Sequence, residues 1–317
     1  MKAVFLDYGS MGPGLDMQPL RALFPDLDIY DDTADDQVTD RIRDAEFIFT
    51  NKIRLSIDLL LQASKLRYIG LTATGTDNID LETAKKHGIA VANIRGYCTE
   101  SVVEYVFGTL LMLTHSLSRY AASVRAGEWQ ASEDFCLLSH PVRELTAMTM
   151  GIVGYGELGR GVLRIAREFG MQVIVSARPG SRTVADGRVS FDELLEKSDV
   201  ISLHCSLNEQ TRNLFDASAF SLMKPGAILI NTARGALVDS YALVAALESG
   251  HLGGAVIDVL AKEPPIHGDP VLDYQGDNLI VTPHIAWATD EARQNAIDEL
   301  AANVAAFLCG DSRNRVV

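Results

Sequence analysis

The sequence predicts an α/β protein of two doubly wound parallel-sheet domains, and three observations carry that prediction. Short apolar runs of strand length alternate with helical segments along the whole chain, the pattern of parallel sheets with helical crossovers. A glycine fingerprint, Gly154-Tyr155-Gly156-Glu157-Leu158-Gly159, stands between one such run and a helix. The last helical segment follows the final strand of the second domain, so the chain is expected to cross back to the first. At 317 residues there is enough chain for two cores.

The first layer has strand-like runs at 2–6, 46–50, 67–71 and 89–92, with helices at 37–44, 57–64 and 81–87 between them, and it ends near Tyr97. A long helix follows. Ser101-Val102-Val103-Glu104 has capping-box spacing. Behind it Val106, Phe107, Leu110, Leu111 and Leu113 cover most of the helix surface, so a buried helix bridging into the second domain is expected. Residues 132–141 read as a loop. The second domain opens with strand 149–153, the glycine turn and helix 159–169. Strands follow at 172–175, 200–204, 227–231, 255–258 and 279–281. The last helix, 290–308, puts Ala292, Ala296, Leu300, Val304 and Leu308 on one face. The expected domains are therefore 1–98 with 287–317, and 99–286.

Composition excludes several classes. Asp and Glu number 42 against 28 Lys and Arg, and the net charge of −14 argues against nucleic acid and against an anionic membrane surface. An anionic substrate would need a local positive pocket. No run approaches the roughly 20 apolar residues of a spanning helix, and the N-terminal apolar run meets Asp7 too soon for a signal peptide. Cys98, Cys136, Cys205 and Cys309 are far apart and form no CxxC pair, which suits a reduced cytoplasmic protein; no metal site is expected.

In a dinucleotide fingerprint the first glycine permits the tight turn, the second lets backbone approach a pyrophosphate, and the third lets the helix pack on the strand. Gly154, Gly156 and Gly159 fill these places, and the N–H groups at the start of the helix, around Glu157 and Leu158, would face the phosphates. The bland alternative is a tight strand-to-helix turn. An acid at the end of the second strand would mark NAD. That place reads Val175-Ser176-Ala177-Arg178-Pro179-Gly180-Ser181-Arg182, with no carboxylate. Ser176 can donate a hydrogen bond, and Arg178 and Arg182 suit a 2′-phosphate, so NADP(H) is favoured over NAD(H) as the NAD(P) cofactor. The alternative is two solvated loop arginines.

Three residues after later strands carry the chemistry. Arg234, in Asn231-Thr232-Ala233-Arg234-Gly235, can grip a carboxylate with two parallel N–H bonds. His284, in Thr282-Pro283-His284, titrates near neutrality and can give a proton to a carbonyl oxygen. Glu263 can orient that ring and favour its charged form. Each alone has a bland reading: a surface salt bridge, a structural histidine, a loop carboxylate. Together they supply what reduction of a 2-oxo acid requires.

The same segments, with Thr50-Asn51-Lys52, Ala73 to Asp80, Gly96-Tyr97, Leu203-His204-Cys205, Asp258 to Pro265 and Pro283 to Thr289, resemble the D-2-hydroxyacid dehydrogenase family over nearly the whole chain. Within it the sequence is similar to the glycerate dehydrogenase and hydroxypyruvate (glyoxylate) reductase branch. The resemblance implies a flavodoxin-like substrate domain beside a Rossmann nucleotide-binding domain, a small 2-oxo or 2-hydroxy acid as substrate, and a homodimer. It makes Arg234 the carboxylate anchor, His284 the acid/base and Glu263 its partner. Thr74 and Gly75 fall in a carboxylate-binding loop, and Cys205, Thr232, Ala233 and Asp258 at cofactor-contacting positions. Lys52 is expected to add charge at the pocket mouth and Trp287 to wall the pocket. For these two, an exposed loop lysine and a packed aromatic are the alternatives. Cys205 reads as a packing residue, not a nucleophile. Ser206 departs from the family's frequent proline, and Ser176 from its acid. Phosphite- or formate-type dehydrogenases share the fold, but the formate enzymes carry glutamine at the Glu263 position. A nucleotide-sensing corepressor-like protein is a further alternative, disfavoured by the complete trio.

Overall fold

The computed structural model describes residues 1–178 and 184–317. They form two compact units, Met1–Cys98 with Trp287–Val317, and Thr99–Ala286. Among the described residues the strands of both sheets pair in parallel, with one antiparallel bridge from Ala92 to Arg315 at the edge of the first, so the α/β expectation holds.

In the first unit β1 (Ala3–Phe5), β2 (Asp28–Ile29), β3 (Phe47–Thr50), β4 (Tyr68–Leu71) and β5 (Ala90–Ala92) run in the order β2-β1-β3-β4-β5. This is the flavodoxin-like order. Side-chain alternation sorts the strands into two faces. Ala3, Phe5, Phe47, Phe49 and Tyr68 enter one core with Phe24 and the helix Asp290–Leu308. Val4, Ile48, Ile69, Leu71 and Val91 enter the other with Val38, Ile42 and Leu60. The two-residue β2 is not legible in the sequence, being too short and half polar for a strand signal.

The last helix belongs to the first unit because its apolar face fits this sheet. Ala292, Ala296, Leu300 and Val304 are buried. Gly70 on β4 leaves room for it: a Cβ there would lie 2.4 Å from Leu300 Cδ1. Leu308 departs from the expected stripe and is 37% exposed. Its neighbour Phe307 takes up the packing instead, 4.8 Å from the Tyr68 ring and 5.9 Å from Phe47.

In the second unit β6 (Thr149–Val153), β7 (Gln172–Val175), β8 (Val200–Leu203), β9 (Ala227–Asn231), β10 (Leu252–Ile257) and β11 (Leu279–Val281) run in the order β11-β10-β9-β8-β6-β7. Outside β7 one parallel bridge joins Ser176 to Val189. Counting that bridge as a third strand reduced to one pair gives the dinucleotide order 3-2-1-4-5-6, with β11 added as a seventh strand beyond β10. The reversal of strand order, where ligands bind in such sheets, then falls between β6 and β8.

Several element boundaries differ from the sequence reading, and for two of them the packing gives the reason. The long helix spans Thr99–Thr114, so Ser101 is interior and not a cap. Its hydroxyl is buried and donates to Ala286 O at 2.7 Å, which removes the capping box. β10 begins three residues early, at Leu252, because Gly253 fits where a Cβ would sit 2.5 Å from Gly226 O. Three helices unread from periodicity carry cap signals: Ser190 accepts from Glu193 N, Asp216 from Ala219 N, and Asp239 from Tyr241 N.

Leu300 is fully buried between helix and sheet, so Leu300→Ala is expected to cost about 2–5 kcal/mol of unfolding free energy in urea titration. A loss under 1 kcal/mol would mean that the last helix is not integral to this core.

Candidate active site

The glycine turn is shaped by close backbone approach. Gly154 adopts φ 96°, and a Cβ there would lie 2.5 Å from the backbone of His204 and Cys205. The loops after β6 and β8 therefore meet at the strand-order reversal. A Cβ on Gly159 would sit 2.1 Å from Gly154 O, whereas one on Gly156 would meet open space. The helix Glu157–Glu168 starts here with Gly156 as its N-cap, two residues earlier than the sequence reading. The Glu157 carboxylate accepts from the Thr99 hydroxyl, and Leu158 is half-buried.

Beside the turn lies a cleft of about 840 Å³ lined by Gly154, Gly156, Ser176, Arg178, Arg188 and Cys205 among others. Ser176 is 2% exposed, and its hydroxyl has no partner among the described residues. A buried hydroxyl at the end of the second strand, an open glycine backbone and two arginines form the donor set that a dinucleotide takes. Arg182 lies outside the described residues. Sequence reasoning missed Arg188. Its guanidinium lies 4.5 Å from the Tyr155 ring centroid and donates to Ser176 O at 3.1 Å. It reaches the cleft through the single bridge at Val189, which has no pattern in the sequence. His204 also lines the cleft; burial pushes its ring down to about 4. Burial likewise pushes the Cys205 thiol up to about 11, so it is a poor nucleophile near neutrality.

Arg234, Glu263 and His284 follow the carboxyl ends of three adjacent strands, β9, β10 and β11. Buried Asn231 shapes the first loop: its side chain accepts from Ala233 N and donates to Arg234 O, both at 3.0 Å. Arg234 donates to Ala233 O at 2.8 Å, and Thr232 keeps a buried hydroxyl with no partner among the described residues. Gly235 presses this loop onto the next, since a Cβ there would lie 1.9 Å from Leu260 C. Glu263 is anchored by Leu260 N to Oε1 at 2.8 Å, and its Oε2 stands 2.7 Å from His284 Nδ1. A carboxylate only accepts, so Nδ1 carries the proton in this contact. Glu263 and His284 line a second cleft of about 470 Å³ with Asp258 and Leu260.

His284 adopts φ 59°, an uncommon conformation for a residue with a side chain. Asp258, 1% exposed, holds the segment in place. Its Oδ1 accepts from the Thr282 hydroxyl at 2.5 Å and Ile285 N at 2.8 Å, its Oδ2 from Ala286 N at 2.9 Å, and its carbonyl from His284 N at 2.8 Å.

The first unit carries the remaining candidates. Asp7, buried, accepts from Asn51 N at 2.9 Å and Lys52 N at 2.6 Å, fixing the loop that bears Lys52. Thr74 and Gly75 follow β4; the Thr74 hydroxyl donates to Ile94 O at 3.0 Å, and Asn93 holds Thr74 O at 2.7 Å. Trp287 packs edge-on against Tyr97 at 6.2 Å. Among the described residues no group of His, Cys, Asp and Glu could hold a metal, and no helix is long and apolar enough to cross a membrane.

The profile of the family "D-isomer specific 2-hydroxyacid dehydrogenase, NAD binding domain" matches residues 107–286, more than half of the chain. The chain belongs to the D-2-hydroxyacid dehydrogenase family. It is 42% identical to a glycerate dehydrogenase of Methylorubrum extorquens over 99% of this chain and 98% of that one. It is 36% identical to a hydroxypyruvate reductase of Blautia hydrogenotrophica over 100% and 99%. A crystal structure of the Aquifex aeolicus D-lactate dehydrogenase with NAD and lactic acid superposes with a TM-score of 0.84 at 32% identity, covering 99% of both chains. The protein is thus a nicotinamide-dependent oxidoreductase of 2-hydroxy acids, and the cleft beside Gly154 fits that cofactor.

His204 is held below its unfolded value of 6.5, at about 4, by burial. The unfolded chain therefore binds the proton first as pH falls, and stability is lost from pH 6.5 down to about 4. His204→Asn is expected to flatten that part of the pH dependence of the urea midpoint. An unchanged slope would show that His204 titrates alike in both states.

Proposed function

We propose that the protein reduces glyoxylate or hydroxypyruvate to the corresponding 2-hydroxy acid with NADPH. The observation that carries this is the 2.7 Å contact between Glu263 and His284 Nδ1, on loops adjoining that of Arg234. With Nδ1 committed to the carboxylate, Nε2 remains for a proton donated to the substrate carbonyl oxygen. Arg234 holds the substrate carboxylate through paired N–H bonds. Bound reduced nicotinamide supplies the hydride. Lys52, the Thr74–Gly75 backbone and Trp287 are the proposed substrate contacts in the first unit, which acts as the substrate-binding domain. Gly154, Gly156, Glu157, Leu158, Gly159, Ser176, Cys205, Thr232, Ala233 and Asp258 are the proposed cofactor contacts in the nucleotide-binding domain of residues 99–286. The branch names of the relatives above support the substrate class.

NADP(H) is favoured because Arg178 and Arg188 line the cleft beside Ser176, with no acid among its described lining residues to repel a 2′-phosphate. A second copy is expected to cover exposed Trp129, Phe135 and Leu138, an assembly that sedimentation velocity would detect. Four cysteines spread along the sequence with no CxxC pair fit a reducing cytoplasm.

A panel of 2-oxo acids with both reduced cofactors tests the reading. Glyoxylate and hydroxypyruvate with NADPH are expected to give the highest kcat/KM; equal or better turnover with NADH would overturn the cofactor preference. Phosphite is expected to give no reduction of NADP. His284→Ala should lower kcat about 10²–10⁴-fold with the NADPH Kd kept, and unchanged turnover would remove His284 from the chemistry. Arg234→Ala should chiefly raise KM for the oxo acid. If both KM and kcat hold, the carboxylate is bound elsewhere.

A further inference from the structure

The helix Thr99–Thr114 grips the segment that carries His284 at two points. Ser101 and Tyr105, one turn apart on the same face, supply them. Ser101 donates to Ala286 O at 2.7 Å. The Tyr105 hydroxyl lies 2.5 Å from Thr282 Oγ1, which lies 2.5 Å from Asp258 Oδ1. The direction of this chain is fixed by proton count. A carboxylate accepts only, and a threonine hydroxyl has one proton to give, so Thr282 donates to Asp258 and Tyr105 donates to Thr282. Burial raises the Tyr105 phenol to about 12, so it keeps its proton at neutral pH.

We propose that Tyr105 is a positioning residue for His284, acting through Thr282 and Asp258. The Tyr105 hydroxyl sets the rotamer of Thr282. Thr282 in turn sets the plane of the Asp258 carboxylate, whose oxygens also hold Ile285 N and Ala286 N. Those two bonds follow directly on His284 and keep it in its left-handed conformation. Loss of the phenolic proton donor lets the carboxylate turn, and the imidazole then spends less time in its contact with Glu263. Hydrogen bonds linked in series through a buried carboxylate behave in this coupled way. This rests on the reading of His284 as the proton donor.

The test uses the full chain with glyoxylate, hydroxypyruvate and NADPH, and the variants Tyr105→Phe, Thr282→Val, Thr282→Ser, the double variant Tyr105→Phe/Thr282→Val, and His284→Ala. Circular dichroism and Tm establish folding, and quenching of protein fluorescence gives the NADPH Kd. Tyr105→Phe keeps the ring and its packing. It is expected to lower kcat about fivefold, the effect of one hydrogen bond, with KM and the NADPH Kd within about twofold. Thr282→Ser should keep most of the turnover that Thr282→Val loses. Because Tyr105 acts through Thr282, the double variant should be no slower than Thr282→Val alone. Wild-type kcat in Tyr105→Phe, losses that multiply in the double variant, or Thr282→Ser as slow as Thr282→Val would each overturn the proposal. If His284→Ala is inactive and Tyr105→Phe is not impaired, only the positioning role fails. Full turnover in His284→Ala removes the reading beneath it.

Discussion

A carboxylate with 1% of its surface exposed cannot lie in an apolar interior without donors around it, and Asp258 draws all of its donors from one short stretch of chain. Thr282, Ile285 and Ala286 supply them, and His284 N bonds the Asp258 carbonyl. Meeting that single electrostatic requirement winds residues 282–286 around the end of β10. It leaves the imidazole at φ 59°, with Nδ1 on Glu263. Desolvation of one acid thus fixes the backbone conformation of another residue.

The parallel sheet makes this arrangement possible. Three neighbouring strands end together, so residues 234, 263 and 284, far apart in sequence, follow adjacent ends. Gly235 then brings the first two loops into backbone contact, at a spacing no side chain would permit. The same device operates at Gly154, where the loops after β6 and β8 touch. Missing side chains shape both regions. A protein of net charge −14 concentrates positive charge locally, with Arg178 and Arg188 in one cleft and Arg234 beside the other loops.

Features set by local pattern were legible in the sequence. Most strands of four or five residues, the glycine turn and the apolar face of the last helix follow from periodicity and glycine placement. The fold class followed from them, while the family came from the resemblance of the motif segments around residues 231–235, 258–265 and 283–289. Features set by tertiary partners were hidden. Ser101 has the spacing of a cap, yet it serves Ala286, 185 residues away. Arg188 enters the cleft beside Gly154 through one bridge that leaves no trace in composition. Tyr105 carries no signal in the sequence, and only the packed structure sets Thr282 beside it. Local sequence fixes which groups exist; only the packed sheet decides which of them meet.

The central claim is that Glu263 holds the Nδ1 proton of His284 and leaves Nε2 facing the chemistry. Nitrogen-15 NMR of the histidine side chains, assigned with His284→Ala, reads this directly. The account predicts a protonated Nδ1 on His284 whose signal shifts in Glu263→Gln. A neutral ring protonated only at Nε2, or a spectrum unaltered by Glu263→Gln, would contradict it.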